Sequence, residues 1–123
     1  MELERLDGEW SVCRLWSLAR LDLTAPYLFV GKTDGELSAV CPTGLCSSLD
    51  CEKREDGWRG FRVAGTLDFS LIGVLSGISS VLAAEGIGIF VISTYDTDYV
   101  WVKGEQWAKA AAALERKGYR FRP

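Results

Sequence analysis

Residues 89–98 have the sequence IFVISTYDTD, and this stretch decides the fold. The apolar run at residues 87–93, interrupted only by Gly88, is typical of a strand buried on both faces. Tyr95, Asp96 and Thr97 then form a polar group that favours a turn. Residues 99–102 are apolar again and are predicted to return as the partner strand. We therefore expect a buried hairpin with an acidic turn.

Helical periodicity flanks this hairpin on both sides. Between residues 70 and 85 the apolar side chains recur at helical spacing, and Asp68 lies where a side chain can cap the first free amides. Gly86 suits the left-handed conformation that ends many helices. A second helix is predicted over residues 105–117, and Gly118 is expected to end it.

Strand patterns complete the second half. Residues 58–65 alternate between apolar and polar side chains, and residues 119–121 can supply a short edge strand. The order from Trp58 onward is then strand, helix, strand, strand, helix, strand. This order predicts an α+β, ferredoxin-like (βαββαβ) fold, an antiparallel sheet with both helices on one face.

The first half is strand-like but less regular. Residues 9–16, 27–30 and 37–41 are predicted strands, and the last two are joined as a hairpin by the turn at residues 32–35. Residues 42–57 change to polar and charged side chains without periodicity, which predicts a connecting loop. We expect a β-rich amino-terminal half at residues 1–57 and a regular α+β domain at residues 58–123.

Composition excludes several classes of protein. The chain has 123 residues, 48% of them apolar, which is enough for a packed core in one domain or two small ones. Its net charge of -3, without a basic cluster, argues against nucleic-acid binding. The uncharged stretch at residues 71–84 is too short to span a bilayer, and residues 1–7 do not resemble a signal peptide. We expect a cytoplasmic protein with no membrane association.

The cysteines at positions 13, 41, 46 and 51 are expected to be separate free thiols. In a reducing compartment disulfides are rare, and a cysteine within an apolar strand behaves as a small hydrophobe. The Cys-x4-Cys-x4-Cys spacing is wider than common zinc-ligand spacings, and the chain contains no histidine. No metal and no cofactor are predicted, although a cysteine-based metal or redox site stays open as a weaker alternative.

The absence of histidine also argues against an enzyme, because histidine is the commonest general base and the usual partner of serine or cysteine nucleophiles. The carboxylates that remain as candidates are Asp68, Asp96 and Asp98. Each has an ordinary structural role open to it: a helix cap for Asp68, a turn for Asp96 and a solvated strand end for Asp98. No catalytic residue is predicted.

A binding site would use the same features together. The start of the helix near Ser70 has unpaired amides that favour an anion such as a carboxylate. An acidic side chain at the neighbouring strand end could hold an ammonium group, and an α-amino acid carries both groups. Gly73 and Gly77 lie four residues apart on one predicted helical stripe, where tight packing and close approach of a ligand stay equally open.

Several segments resemble the ACT domain family. DFSLIGVL at residues 68–75 and LAAEGIGI at residues 82–89 are similar to the beginning and end of the first ACT helix, and ISTYDTDYV at residues 92–100 is a sharper match. Together with GEWSVCRL at residues 8–15 and ELSAVCP at residues 36–42, they resemble small bacterial proteins with two ACT units, and more distantly the CASTOR arginine sensors. Residues 42–50 follow no pattern of that family.

The resemblance implies a regulatory sensor that binds an amino acid at an interface between ACT units. It implies a ligand-binding set made of Asp68, Phe69, Ser70, Leu71, Ile72, Gly73, Ser93, Thr94, Tyr95, Asp96 and Asp98. The expected partners are an amino acid ligand, a second copy of the chain in a homodimer and an unidentified regulated protein. The alternative hypothesis is a structural dimerisation or protein-interaction module without a small ligand.

Overall fold

The computed structural model describes residues 1–67 and 72–123, which divide into two compact units. The amino-terminal unit is Gly8–Trp58, and the carboxy-terminal unit combines Met1–Asp7 with Arg59–Pro123. The strands are β1 (Glu2–Arg5), β2 (Trp10–Leu15), β3 (Phe29–Lys32), β4 (Leu37–Pro42), β5 (Cys51–Val63), β6 (Ile89–Ser93), β7 (Asp98–Lys103) and β8 (Arg120–Phe121). The helices are α1 (Thr43–Cys46), α2 (Val74–Ala84) and α3 (Trp107–Arg116), the last preceded by a 3-10 turn at Gly104–Gln106.

The carboxy-terminal unit has the predicted ferredoxin-like fold. Its elements follow the order β5, α2, β6, β7, α3 and β8, so the predicted order is confirmed. β6 and β7 form the expected antiparallel hairpin, in which Ser93 pairs with Asp98. β7 also pairs with β5, which places the hairpin in the same sheet as the long strand that precedes α2.

Strand β1 was not expected from the sequence. It is antiparallel to β5, with Leu3 opposite Val63, and parallel to β8, with Leu3 opposite Phe121. β1 therefore lies between β5 and β8, and Met1–Asp7 belongs to the carboxy-terminal unit. The predicted domains, residues 1–57 and 58–123, stay a prediction and differ from the compact units in the position of this segment.

One core serves the sheet and both helices of the carboxy-terminal unit. Its buried members are Leu3, Phe61, Val63, Ile78, Leu82, Ile87, Val100, Val102, Ala110 and Leu114. The strand members recur at every second position of β5 and β7, so they share one face of the sheet. Both helices contribute to this same cluster, as expected for helices packed on one face.

The limits of α2 differ from the prediction at one end. The helix begins at Val74 instead of residue 70, because Gly73 has a left-handed conformation (φ 82°) and occupies the N-cap position. The periodicity predicted Gly73 inside the helix, and the structure places it at the N-cap instead. The expected ends at Gly86 and Gly118 are confirmed, with φ values of 72° and 95°. Across the described residues, none of the helices is long and apolar enough to cross a membrane.

The amino-terminal unit contains the predicted hairpin of β3 and β4, and β2 pairs with both β4 and β5. The prediction of a connecting loop at residues 42–57 was wrong, because this segment holds α1 and most of β5. Its charged side chains lie largely on the exposed part of β5, from Lys53 to Asp56, and hide the strand periodicity. Pairing with β2 supplies the backbone hydrogen bonds that make it a strand.

The cysteines line the core of the amino-terminal unit. Cys13 and Cys46 form a disulfide, so the expectation of separate free thiols was wrong for this pair, while Cys41 and Cys51 are free. The members of this core are Cys13, Leu15, Ala39, Cys41, Cys46 and Leu49. Burial raises the pKa of the Cys41 thiol to about 11, so this thiol is protonated at neutral pH.

An ion-pair network lies on β1. Arg62 donates to the Glu4 carboxylate at 2.7 Å, and Arg122 donates to Glu2 at 2.7 Å and to Glu4 at 2.9 Å. The hydrogen bond from Arg122 lowers the pKa of Glu2, and the hydrogen bond from Arg62 lowers the pKa of Glu4. Both carboxylates therefore favour the folded state most when they are charged.

We expect Glu4→Gln to weaken the dependence of stability on pH in the acid range. A folded-state pKa below the unfolded value of about 4.3 gives stabilisation that is present above this pH and is lost as the pH falls through the folded-state pKa. Melting temperatures from pH 7 to pH 3 should fall less steeply in Glu4→Gln than in the wild type. Glu115→Gln, at an exposed position of α3, is the matched control, and profiles that coincide for all three proteins would contradict the assignment.

Candidate functional site

A pocket of about 330 Å³ lies between the start of α2 and the turn that joins β6 to β7. It is lined by Leu67, Gly73, Val74, Leu75, Ser76, Ser93, Thr94, Tyr95, Asp96, Thr97 and Asp98. The structure thus brings Gly73 of the predicted ligand loop together with the predicted residues of the facing strand end. All of these residues belong to the carboxy-terminal unit.

The start of α2 supplies hydrogen-bond donors to one side of the pocket. The first intrahelical bond runs from the Gly77 amide to the Gly73 carbonyl at 2.9 Å. The amides of Val74, Leu75 and Ser76 precede that bond and therefore have no acceptor within the helix. No described side chain caps this end. Amides without an acceptor in the helix, together with the positive end of the helix dipole, make this side of the pocket suitable for an anion.

The acidic turn forms the opposite side. The Ser93 hydroxyl donates to the Asp98 carboxylate at 2.6 Å, which fixes the orientation of that carboxylate. The Thr94 amide donates to the Thr97 carbonyl at 2.9 Å and closes the turn. The Asp96 carbonyl accepts a hydrogen bond from the Leu67 amide at 2.7 Å. These bonds hold the backbone of the turn and the Asp98 carboxylate beside the pocket.

Thr97 anchors the turn to the sheet. Its side chain is only 6% exposed, and its hydroxyl donates to the Val63 carbonyl at the end of β5 at 2.9 Å. A buried hydroxyl needs such a partner, and the bond fixes the height of the turn above the strand. From the sequence, Thr97 is predicted only as a turn residue. The one signal for its anchoring role is that it is the less polar side chain between Asp96 and Asp98.

Of the other members of the predicted ligand loop, the structure describes only Ile72, which does not line this pocket. Ile72 is 92% exposed and lines a neighbouring pocket with Lys117 and Tyr119, not the pocket beside the acidic turn. The predicted positions Asp68, Phe69, Ser70 and Leu71 lie outside the described residues. Val74, Leu75 and Ser76 were not predicted as site residues, because the apolar periodicity predicts a helix start at residue 70 and the helix begins at Val74.

Gly77 makes a packing contact. A Cβ atom at this position would lie 2.9 Å from the Tyr119 hydroxyl oxygen, so glycine allows α2 to approach the segment that follows α3. Gly77 does not line the pocket beside the acidic turn. Of the two roles left open by the sequence, this geometry favours tight packing.

The fold and the pocket define a ferredoxin-like α+β domain with a small pocket at a helix start. The family model for the ACT domain matches residues 53–116, more than half of the chain, and the chain belongs to the ACT domain family. ACT domains are regulatory modules, and membership gives this protein a ligand-binding regulatory role in general terms. None of the curated proteins matches the chain significantly in sequence.

Solved structures share the fold over almost the whole chain. Protein Atu0741 from Agrobacterium tumefaciens has a TM-score of 0.83 at 28% identity, with 98% of this chain and 91% of that chain covered. VC0802 from Vibrio cholerae, a protein of unknown function, has a TM-score of 0.74 at 20% identity, with 98% and 88% covered. The regulatory subunit of aspartate kinase from Thermus thermophilus has a TM-score of 0.63 at 10% identity, with 93% and 95% covered.

Proposed function

We propose that the pocket binds a small α-amino acid reversibly and that the protein acts as a regulatory sensor without catalytic activity. The observation that supports this proposal is that the free amides of α2 and the carboxylates of the acidic turn line one pocket. An amino acid carries an anion and a cation on neighbouring atoms, so it can use both sides at once. The lack of histidine in the chain agrees with binding without catalysis.

The proposed ligand lies with its carboxylate against the amides of Leu75 and Ser76 and with its ammonium group against Asp98 and Asp96. The hydrogen bond from Ser93 keeps Asp98 oriented before the ligand arrives, which reduces the ordering cost of binding. The pocket volume of about 330 Å³ lies near the lower end of the range for ligand pockets, about 300–1,000 Å³. The size therefore favours a single amino acid over a larger metabolite.

We further propose that a second ACT unit, in a homodimer, covers the bound amino acid. Two large side chains beside the pocket support this proposal, since Ile72 is 92% exposed and Tyr95 is 79% exposed. An interface that buries such side chains gains hydrophobic stabilisation, and the bound ligand then couples to assembly. The predicted ligand-loop residues Asp68, Phe69, Ser70 and Leu71 remain part of this proposal, and the regulated protein is a partner still to be identified.

A thermal-shift screen of the twenty amino acids tests the proposal. At a concentration 100 times the dissociation constant, a ligand should stabilise the wild type by about 2.7 kcal/mol. Asp98→Asn keeps the shape and the acceptor for Ser93 but removes the charge, so it should abolish the shift without unfolding the protein. Asp34→Asn, in the exposed turn between β3 and β4, is the matched control and should respond like the wild type.

The absence of any shift at millimolar amino acid would contradict the proposal, and so would an equal shift in Asp98→Asn. Light scattering with and without the ligand then separates the two functions considered from the sequence. A dimer that forms in the same way at every ligand concentration would favour the dimerisation module. A ligand-dependent change of mass would favour the sensor.

A further inference from the structure

We propose that Cys13, Cys46 and Cys51 form a Zn²⁺ site in the reduced protein, where the sequence left a cysteine-based metal site open only as a weaker alternative without assigned ligands. The three sulfur atoms lie within 4.8 Å of one another. Among the described residues, these three cysteines are the group of potential metal ligands that lies this close together. Cys13 comes from β2, Cys46 from the end of α1 and Cys51 from the start of β5. All three belong to the amino-terminal unit, so this site is separate from the amino acid pocket.

The spacing of the Cys46 and Cys51 sulfur atoms suits a tetrahedral metal, whereas the Cys13 and Cys46 sulfurs must first separate by reduction of their disulfide. Two thiolates bound to zinc at about 2.3 Å, on neighbouring corners of a tetrahedron, have their sulfurs about 3.8 Å apart. The sulfurs of Cys46 and Cys51 are 3.7 Å apart. Thiolate sulfur is the ligand atom that zinc prefers in structural sites. The Cys46 and Cys51 side chains thus already have the separation that two zinc ligands require.

The same geometry disfavours exchange of the disulfide with the third cysteine. A thiolate attacks a disulfide in line with the bond that breaks, and the S–S bond is about 2.05 Å long. In-line attack of Cys51 on Cys46 from 3.7 Å would therefore put the sulfurs of Cys51 and Cys13 about 5.7 Å apart. The structure holds them within 4.8 Å, so the three sulfurs are not in the line that this exchange requires.

Burial supports a structural role for the metal. Cys13 is 1% exposed and Cys46 is fully buried, in the core that also contains Ala39 and Leu49. Cys51 is partly exposed and gives the ion a route from solvent. A metal that joins β2, α1 and β5 would stabilise the unit, because its binding free energy contributes to folding.

The disulfide and the metal are alternative states of the same side chains. Two equivalents of a small thiol reductant convert the Cys13–Cys46 bond into two thiols and are themselves oxidised to one disulfide. Zn²⁺ then binds the three cysteines as thiolates and releases their three protons to solvent. Formation of the Cys13–Cys46 bond removes two of the three ligands, so the oxidised protein is expected not to retain the ion.

Elemental analysis of the reduced protein, purified with a thiol reductant and without a chelator and then dialysed against Zn²⁺, tests the site. The wild type should retain about one equivalent of zinc per chain. Cys46→Ser and Cys51→Ser should retain less than about a tenth of an equivalent, because each removes a ligand. Cys41→Ala is the matched control: it changes a buried cysteine of the same core outside the proposed set, so it should retain the metal.

A reduced wild type without zinc would overturn the proposal, and so would a Cys51→Ser variant with a full equivalent. Loss of zinc in Cys41→Ala, with its fold intact, would overturn the assigned ligand set. Titration of the wild type with Co²⁺ decides the question if the serine variants do not fold. The thiolate-to-Co²⁺ absorption should appear in the reduced protein and vanish after oxidation to the disulfide, and its absence from the reduced protein would contradict the site.

Discussion

Phe61→Ala is expected to destabilise the carboxy-terminal unit by about 3–5 kcal/mol, the range for phenylalanine truncation in a well-packed core. The Phe61 side chain is fully buried in β5. Its ring makes edge contacts with Trp107 of α3 at 6.1 Å and with Phe121 of β8 at 5.6 Å between centroids. One side chain therefore joins the sheet, a helix and the final strand, and alanine would leave a cavity against all three.

Denaturant unfolding of Phe61→Ala and of the wild type measures this effect. Lys109→Ala is the matched control in the same unit, because it removes an exposed side chain of α3 and should change stability by no more than about 0.5 kcal/mol. Equal denaturant midpoints for Phe61→Ala and the wild type would show that the packing of Phe61 in this core does not stabilise the unit. A comparable loss in Lys109→Ala would show that the effect does not depend on burial in this core.

Gly60→Ala is expected to destabilise the protein by about 1–3 kcal/mol, the usual cost of overpacking a core. A Cβ atom at Gly60 would lie 2.5 Å from Nε1 of Trp101 and 3.1 Å from Cδ1 of Leu6. The indole cannot move aside easily, because it is fully buried and stacks on Phe90 at 5.0 Å and on Tyr99 at 6.0 Å. The added methyl group must therefore displace either β5 or this aromatic stack.

Gly31→Ala is the control for Gly60→Ala. Gly31 also lies in a strand, but no described atom beyond its neighbours in sequence comes within 4 Å of a Cβ built there. Its substitution should be neutral or slightly stabilising, since alanine loses less backbone entropy on folding. Thermal melting of both variants gives the comparison, and a Gly60→Ala protein as stable as Gly31→Ala would disprove the close contact with Trp101.

The sequence predicted the elements of the carboxy-terminal unit because their periodicity is strong. β6, β7, α2 and α3 each present several apolar residues at the spacing of their own secondary structure. β1 gave no such signal, because Leu3 is the single buried residue of Glu2–Arg5. The polar part of β5 was also missed, since pairing with β2 outweighs its poor strand propensity.

The sequence predicted the acidic turn of the candidate site better than the helix start on its other side. The acidic turn follows directly from the pattern at residues 93–98, and the structure places Ser93, Asp96 and Asp98 in one pocket. The helix side was shifted, because the left-handed conformation of Gly73 delays the first turn of α2 until Val74. Apolar spacing reports the face of a helix and not its first residue, so the free amides could not be assigned correctly from sequence.

The disulfide could not be predicted from the sequence for a different reason. Cys13 and Cys46 are 33 positions apart and meet only because β2 pairs with β4, which is followed directly by α1. Connectivity among four cysteines cannot be deduced from their spacing. The same long-range pairing brings Cys51 to the other two sulfurs, so the proposed metal site also depends on the fold.

A crystal structure of the protein with the amino acid that gives the largest thermal shift tests the central claim most directly. We expect the ligand carboxylate within about 2.7–3.2 Å of the Leu75 and Ser76 amides, the distance of an N–H···O hydrogen bond. The ammonium group should lie at a similar distance from the Asp98 carboxylate. An amino acid bound elsewhere, with the pocket between α2 and the acidic turn filled only by solvent, would contradict the claim.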